Sequence, residues 1–402
     1  MQKKIAITGM GVITANANNL IQFAEALRTG RSGIKKITLF DSAPYACQYM
    51  GEIEKCNSPD TGLDRASQLA LLAARSAIVD AGKEWIYENR ERTGVLLGTT
   101  CGGVTSHETI MRAWRAGHEV LLSLYDEVPF HAMAEHIAQE HELEGPVATI
   151  TIACASGTNA VGFAADLIRS GQAALMLAGG SDTVSNFTFS GFSILRAMAH
   201  DMCQPFDKDR TGVSLGEGAG FLVLEEEDHA RRRGARIYAE ILGHGFCNDA
   251  YHSTAPDPMG SGMVRSVMQA LHKASLRPED IDYVNAHGTG TRANDEMEFN
   301  AYKAVFGDRV RSLPISSTKS MVGHTLGAAG AVELIATVLA LNGQFVPPTI
   351  RLNTPDPLCT FDAVQNESRP AKLRRAICCN AGFAGHNAAV IVGESINSSG
   401  NS

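Results

Sequence analysis

Short apolar runs alternate along this chain with longer alanine-rich stretches whose apolar positions recur every three or four residues. IAIT (5–8), GVLLGT (94–99), ATITIA (148–153), LMLAGG (175–180) and GFLVLEE (220–226) read as buried strands, because an apolar run without polar alternation suits a strand covered on both faces. QLALLAARSAIVDAG (68–82) and NAVGFAADLIRSGQ (159–172) carry helical spacing with glycine near the end, where a helix stops readily. From 237 the alternation resumes: IYAEILGHG, IDYVNAHG, LPISST, RRAICCNAG and AAVIVGES predict strands, and MVRSVMQALHKASL and AAGAVELIATVLALNG predict helices. Such alternation predicts α/β layers. A glycine-flanked segment ends a strand in each part, LLGTTCGG at 96–103 and CCNAGFAG at 378–385, so the chain divides into halves at 1–236 and 237–402. Residues 104–147, rich in histidine and glutamate, read as a helical insertion in the first half, and the polar SINSSGNS at 395–402 predicts a frayed end.

Composition narrows the class. With 402 residues, 44% of them hydrophobic, and 39 glycines, the chain predicts a sizeable core and many tight turns. No run of eighteen apolar residues argues for a membrane span, and MQKKIAITGMGV has too short an apolar stretch for a signal peptide. Nine cysteines without CxxC spacing fit a reduced compartment, so a cytoplasmic protein is expected. A net charge of −8 argues against a nucleic-acid partner. TGMGVIT lacks the third glycine of a dinucleotide fingerprint, and GEGAG at 216–220 precedes a strand instead of opening a helix. The histidines of HAMAEH and HIAQEH stand five residues apart, about 140° around a helix, and predict no metal site.

The chemistry concentrates in separated segments. Cys154 follows ATITIA and precedes ASGTNAVGFAADLI, which predicts a thiol at a helix N-terminus, where free N–H groups and the helix dipole favour thiolate. His287 ends IDYVNAH before Gly-Thr-Gly-Thr, and His324 follows Lys319 by five residues in TKSMVGH. Two neutral imidazoles offering N–H can stabilise an enolate. CNAGFAGHNAA sets Phe383 in a glycine-rich loop, where glycine permits movement.

These segments, with IAITGMGVIT at the start, PFDKDRTGVSLGEGAG at 205–220 and HGTGTRANDEME after His287, resemble the β-ketoacyl-acyl-carrier-protein synthases, the elongating condensing enzymes of fatty acid and type II polyketide synthesis. The resemblance implies an α/β, thiolase-like, five-layered α-β-α-β-α fold of two pseudo-symmetric halves, usually dimeric. It implies Cys154 as nucleophile, His287 and His324 flanking a malonyl thioester, and Lys319 holding His324 and the local field; which histidine handles the carboxylate stays open. Phe383 is then the gate, its N–H joining that of Cys154 in an oxyanion hole. Thr289 and Thr291 resemble residues that bond the pantetheine arm. Asp295 and Glu298 resemble structural acids, Asp295 bracing a loop and Glu298 meeting Lys319 or an ordered ion. Cys101 falls where the family lines the acyl pocket near the dimer contact, and Arg65, Lys208 and Arg210 fall in the carrier-docking rim. Ala381 replaces a common aromatic and His386 a common threonine, which implies a longer, more polar or more rigid acyl chain. No cofactor is implied beyond the carrier's phosphopantetheine. The implied partners are an acyl carrier protein and a second subunit, either a copy of this chain or a chain-length-factor-like homologue. The presence of Cys154 argues against a non-catalytic chain-length subunit.

Overall fold

The computed structural model describes residues 3–54 and 62–395. Its first half contributes β1 (Ile5–Thr14), β2 (Thr93–Gly98), β3 (Val147–Ile150), β4 (Leu175–Asp182) and β5 (Gly218–Glu226), side by side in the order β3-β2-β4-β5-β1. β2 runs parallel to β3 and β4, and β5 runs antiparallel to β4 and β1. The second half contributes β6 (Ala239–Asn248), β7 (Tyr283–Asn285), β8 (Pro314–Ser316), β9 (Arg375–Gly382) and β10 (His386–Gly393), in the order β8-β7-β9-β10-β6. The directions repeat: β7 is parallel to β8 and β9, and β10 is antiparallel to β9 and β6. The halves join where β1 meets β6 through Ile5↔Ile241, Ala6↔Glu240 and Ile7↔Ala239.

Helices complete the layers. They are α1 (Arg65–Ala81), α2 (Val104–Ala116), α3 (Ser156–Arg169), α4 (Asn186–Ile194), α5 (Ser261–Ala274), α6 (Arg292–Phe306) and α7 (Ala329–Gly343). α1 covers β1 and β5 from outside, and α5 covers β6 and β10. α3 and α7 pack on each other and touch strands of both halves, so they form the middle layer of a five-layered, thiolase-like α-β-α-β-α stack.

The middle position explains α7. α5 buries one face, as a surface helix does, whereas α7 is buried almost all round. Leu326–Gly343 is apolar and long enough to cross a membrane by composition alone, yet 83% of it is buried inside the fold. Truncating Leu334 or Ile335, both 0% exposed, to alanine would cost about 2–5 kcal/mol.

The sequence expectation fails instructively at one strand. ATITIA is not a buried strand throughout: β3 ends at Ile150 and is half exposed, because among the described residues it is an edge strand paired only with β2. The chain then turns, and α3 starts at Ser156 instead of 159. The first strand runs on to Thr14, well past IAIT. The 104–147 segment holds three helices, α2 and two further ones at Ser123–Asp126 and Ala132–Glu140, before β3 begins at Val147. SINSSGNS lies outside the described residues apart from Ser395.

Candidate active site

Cys154 stands in the turn between β3 and α3. Ala153 before it has φ of 51°, a left-handed conformation that a residue with a Cβ adopts only where its surroundings hold it. Ser156 supplies that hold: its Oγ accepts from Ile152 N at 2.9 Å and donates to Ala153 O at 2.5 Å. The thiol is 5% exposed and lines a cleft of about 510 Å3. The helix end expected to favour thiolate meets an opposing influence. Burial pushes the Cys154 thiol up to about 12; Lys319 pulls it down, and Asp182 and Glu333 push it up again. Burial thus favours the neutral thiol at Cys154, against the pull of Lys319.

His287 follows β7, and its backbone is fixed by a carboxylate. His287 N and Gly288 N donate to the two oxygens of Glu298 at 2.7 and 2.6 Å. The ring is fixed separately. Lys319 Nζ lies 3.1 Å from Nδ1, and Asn380 Nδ2 lies 3.4 Å from the same atom. Both neighbours are donors, so Nδ1 accepts and the imidazole proton sits on Nε2. Glu333 ties this cluster together, pairing with Lys319 through one oxygen and accepting from Asn380 Nδ2 at 2.6 Å through the other. Thr158 of α3 donates to Asn380 Oδ1 at 2.6 Å, linking the cluster to the helix that follows Cys154.

His324 follows Gly323 in a tight turn. Its N donates to Ser214 O at 2.7 Å and its O accepts from Gly216 N at 2.9 Å. The two imidazoles meet edge to face with centroids 5.1 Å apart. Nδ1 of His324 is buried and has no hydrogen-bond partner among the described residues. Burial holds both histidines well below 6.5, and the Lys319 ammonium lowers them further, so both are neutral at neutral pH.

The glycine-rich loop closes one side. β9 ends at Gly382, and Phe383–Gly385 make a single turn with Ala384 at φ of 60°. Ala384 N donates to Ser253 O at 2.7 Å, and Asp249 N donates to Gly385 O at 2.8 Å. Phe383 stacks on Phe192 of α4 with centroids 5.5 Å apart. Cys154, His287, His324 and Phe383 line the cleft together with Thr289, Thr291 and Ala381. The Thr289 and Thr291 hydroxyls bond each other at 2.9 Å.

Several expected placements need correction. Lys319 holds His287, not His324, and its carboxylate is Glu333. Glu298 meets the 287–288 backbone, Tyr302 and Asn294 instead of Lys319. Arg210 is 1% exposed, paired with Asp356 and 3.4 Å from Asp295, so its charge is consumed inside the fold and is not presented to a carrier. Arg65 is largely buried against Glu217, with two contacts of 2.8 Å. Lys208 is exposed. Of the stretch NSPDTGLDR before α1, residues 57–61 lie outside the described ones. Asp295 joins the Phe206 N and Gly290 N loops at 2.8 and 3.2 Å. Cys101 is not among the residues lining this cleft; it packs against the apolar cluster that includes Val184, Phe189 and Leu326, and its Sγ lies 3.7 Å from Thr188 Oγ1.

Sequence reasoning passed over Glu333 and Asn380. Glu333 left one signal, an acid alone within the apolar run AAGAVELIATVLALNG. It also passed over Arg196 and Arg292, exposed cations at the cleft's mouth.

A thiol on a strand–helix turn, facing two neutral imidazoles within a duplicated five-layer stack, defines a thiolase-like acyltransferase. The chain belongs to the β-ketoacyl synthase family: the family model "Beta-ketoacyl synthase, N-terminal domain" matches residues 2–230 and "Beta-ketoacyl synthase, C-terminal domain" matches 238–353. It is similar to a 3-oxoacyl-[acyl-carrier-protein] synthase 2 of Staphylococcus aureus (strain COL), 37% identical over 404 residues, covering 97% of this chain and 98% of that one. A putative polyketide beta-ketoacyl synthase 1 of Streptomyces cyaneus is 38% identical over 414 residues, covering 98% of each. The solved structure of the ishigamide ketosynthase/chain length factor has a TM-score of 0.93 at 36% identity, covering 98% of this chain and 100% of that one.

Proposed function

We propose that this chain catalyses decarboxylative condensation of an acyl thioester with a malonyl thioester, both delivered on acyl carrier protein. One observation carries the reading: Cys154 shares a cleft with two neutral histidines, one locked as an Nε2–H donor by Lys319.

The geometry suggests distinct roles for the histidines. Cys154 attacks the acyl thioester, its proton passing through neutral His324, whose Nδ1 is not engaged, to the departing phosphopantetheine thiol. The backbone N–H groups of Cys154 and Phe383 receive the tetrahedral oxyanion. Malonyl carrier then occupies the cleft beside Thr289 and Thr291. Its carboxylate leaves as carbon dioxide, and the electron pair passes into an enolate that receives the Nε2–H of His287. The α-carbon attacks the acyl group on Cys154, the sulfur leaves and takes up a proton, and the product is a 3-oxoacyl carrier two carbons longer. The chemistry balances with the carrier's phosphopantetheine as the only group required.

A second subunit fits the surface. Trp114, Leu121, Leu122, Phe187 and Ile194 are each at least 71% exposed, and β3 leaves an unpaired sheet edge. Large apolar side chains left exposed and an open sheet edge call for a covering partner. A copy of this chain or a chain-length-factor-like homologue would serve, the latter favoured by the likeness to a ketosynthase/chain length factor structure.

The test is intact mass spectrometry of carrier protein after incubating the chain with malonyl carrier and a ladder of acyl carriers. Extension by two carbons, lost in Cys154→Ala, is expected. No extension from loaded carriers, alone or with a homologous partner subunit, would overturn the reading.

A further inference from the structure

Beneath the nucleophile, four segments meet with no space for a side chain. Gly98 ends β2, Gly157 lies in the first turn of α3, Gly180 lies in β4, and Gly327 follows the His324 turn. A Cβ on Gly98 would stand 2.4 Å from Gly157 N, one on Gly180 2.7 Å from Gly98 O, and one on Gly327 2.4 Å from Thr100 N. Packing this tight makes the segments move as one body or not at all.

Asp182, the last residue of β4, ties that junction together and has no part in the mechanism above. It is 0% exposed. Oδ1 accepts from Thr99 Oγ1 at 2.6 Å and Cys101 N at 3.0 Å. Oδ2 accepts from Thr100 N at 2.7 Å and Gly327 N at 2.6 Å. One carboxylate thus clasps the 99–101 turn to the turn that follows His324. The 99–101 turn is in contact with the nucleophile's turn as well: the single Ser156 Oγ proton is shared between Ala153 O at 2.5 Å and Thr99 O at 3.2 Å. A continuous set of hydrogen bonds therefore runs from the Cys154 turn through Ser156, Thr99 and Asp182 to Gly327, close behind His324.

We propose that Asp182 is a positioning residue for the condensation, setting the His324 turn against the Cys154 turn so that the carbanion arises within reach of the acyl group. The inference rests on the condensing reading of the site. Asp182 touches no substrate; it acts through the two turns it joins. The asparagine variant keeps the shape but puts an NH2 group where one oxygen faced two N–H donors, so one arm of the clasp is lost. A misplacement of the reacting groups by about 1 Å costs about a hundred-fold in rate. The distinctive result is uncoupling. Malonyl carrier still loses carbon dioxide, but the enolate takes a proton from water and leaves as acetyl carrier instead of forming the new bond.

The experiment supplies acyl and malonyl carriers to the wild-type chain, Asp182→Asn and the milder Thr99→Val. Mass spectrometry counts 3-oxoacyl carrier against acetyl carrier, and iodoacetamide alkylation reports Cys154 itself. In Asp182→Asn the product ratio is expected to fall about ten-fold or more, with KM for malonyl carrier within about two-fold. Alkylation should be no slower than in wild type, because the variant removes a negative charge that suppresses the thiolate. Thr99→Val should shift the ratio in the same direction by less, and it decides the matter alone if Asp182→Asn does not fold. An unchanged ratio in the folded variants overturns the inference, as does a parallel fall of condensation, decarboxylation and alkylation. Failure of the wild-type chain to condense overturns the underlying reading and the inference with it.

Discussion

Lys319 Nζ lies 3.1 Å from Nδ1 of His287 while pairing with Glu333, so one buried ammonium fixes both the tautomer and the charge state of that histidine. Lys319→Met should therefore lower condensation about 10²–10³-fold, the loss typical of a disrupted oxyanion donor. The direction of its pH effect follows from the residues. Lys319 adds to the burial that holds His287 well below 6.5. Removing the ammonium raises that value, so activity should fail at a higher pH on the acid side. A pH–rate profile of malonyl decarboxylation reads the shift. The variant also strands Glu333, at about 3–5 kcal/mol; Lys319→Met/Glu333→Gln should recover thermal stability without recovering rate.

Ala381 lines the cleft beside Cys154 and is 8% exposed. A benzyl group there would occupy volume that the acyl chain would otherwise take. Ala381→Phe should shift products to shorter chains in the acyl-carrier ladder. An unchanged length distribution would show that another wall sets chain length.

Carrier docking should depend on the exposed mouth cations and not on Arg210. Arg196→Glu and Arg292→Glu are each expected to raise KM for the carrier about three- to ten-fold, less at high salt, with kcat little changed. Arg210→Glu should instead give poorly folded protein, since it would set a fourth carboxylate among Asp295, Glu296 and Asp356. Steady-state kinetics at two ionic strengths, with circular dichroism of the Arg210 variant, separates these outcomes.

His136 clasps the buried Glu127 at 2.5 Å, and Glu127 also accepts from Asp64 N and Ser67 Oγ at the start of α1. The bond to Glu127 raises His136 above 6.5; burial works against ionised Glu127, but its bonds to His136 and Ser67 carry it below 4.5. A raised histidine stabilises fully below its unfolded value and loses that contribution as pH rises through its folded one; a lowered carboxylate does the reverse on the acid side. The stability advantage of wild type over His136→Gln should be full between pH 4.5 and 6.5 and decline above that window. Urea unfolding across pH tests it; a pH-independent difference would show that the imidazole acts only by packing.

Cys154, His287, His324 and Phe383 stand out in the sequence because small or glycine neighbours surround each of them, and a side chain that faces open space needs such neighbours. Their supports were harder to read. Glu333 stands out as an acid in an apolar helix, which must be paired if buried, but sequence alone cannot show which way it points. Arg210 reads as a surface cation because its acid Asp356 lies 146 residues away. The renewed alternation after 237 shows strands and helices in the second part of the chain, but the order in which those strands pair is set by contacts far apart in sequence. β3 was misread because an edge strand and a central one share a composition, and only the neighbour list distinguishes them.

Helix α7 has a consequence for synthesis of the chain. Its packing partners include β9 and β10, which begin at Arg375. While the ribosome is still translating that stretch, Leu326–Gly343 has already been made, with a mean hydropathy of 1.6 and part of its surface uncovered. The nascent polypeptide therefore carries, for an interval, an apolar segment whose packing partners are not yet made. Folding of the last two strands ends that interval, and a truncation before Arg375 would make the exposure permanent, with aggregation as its physical result.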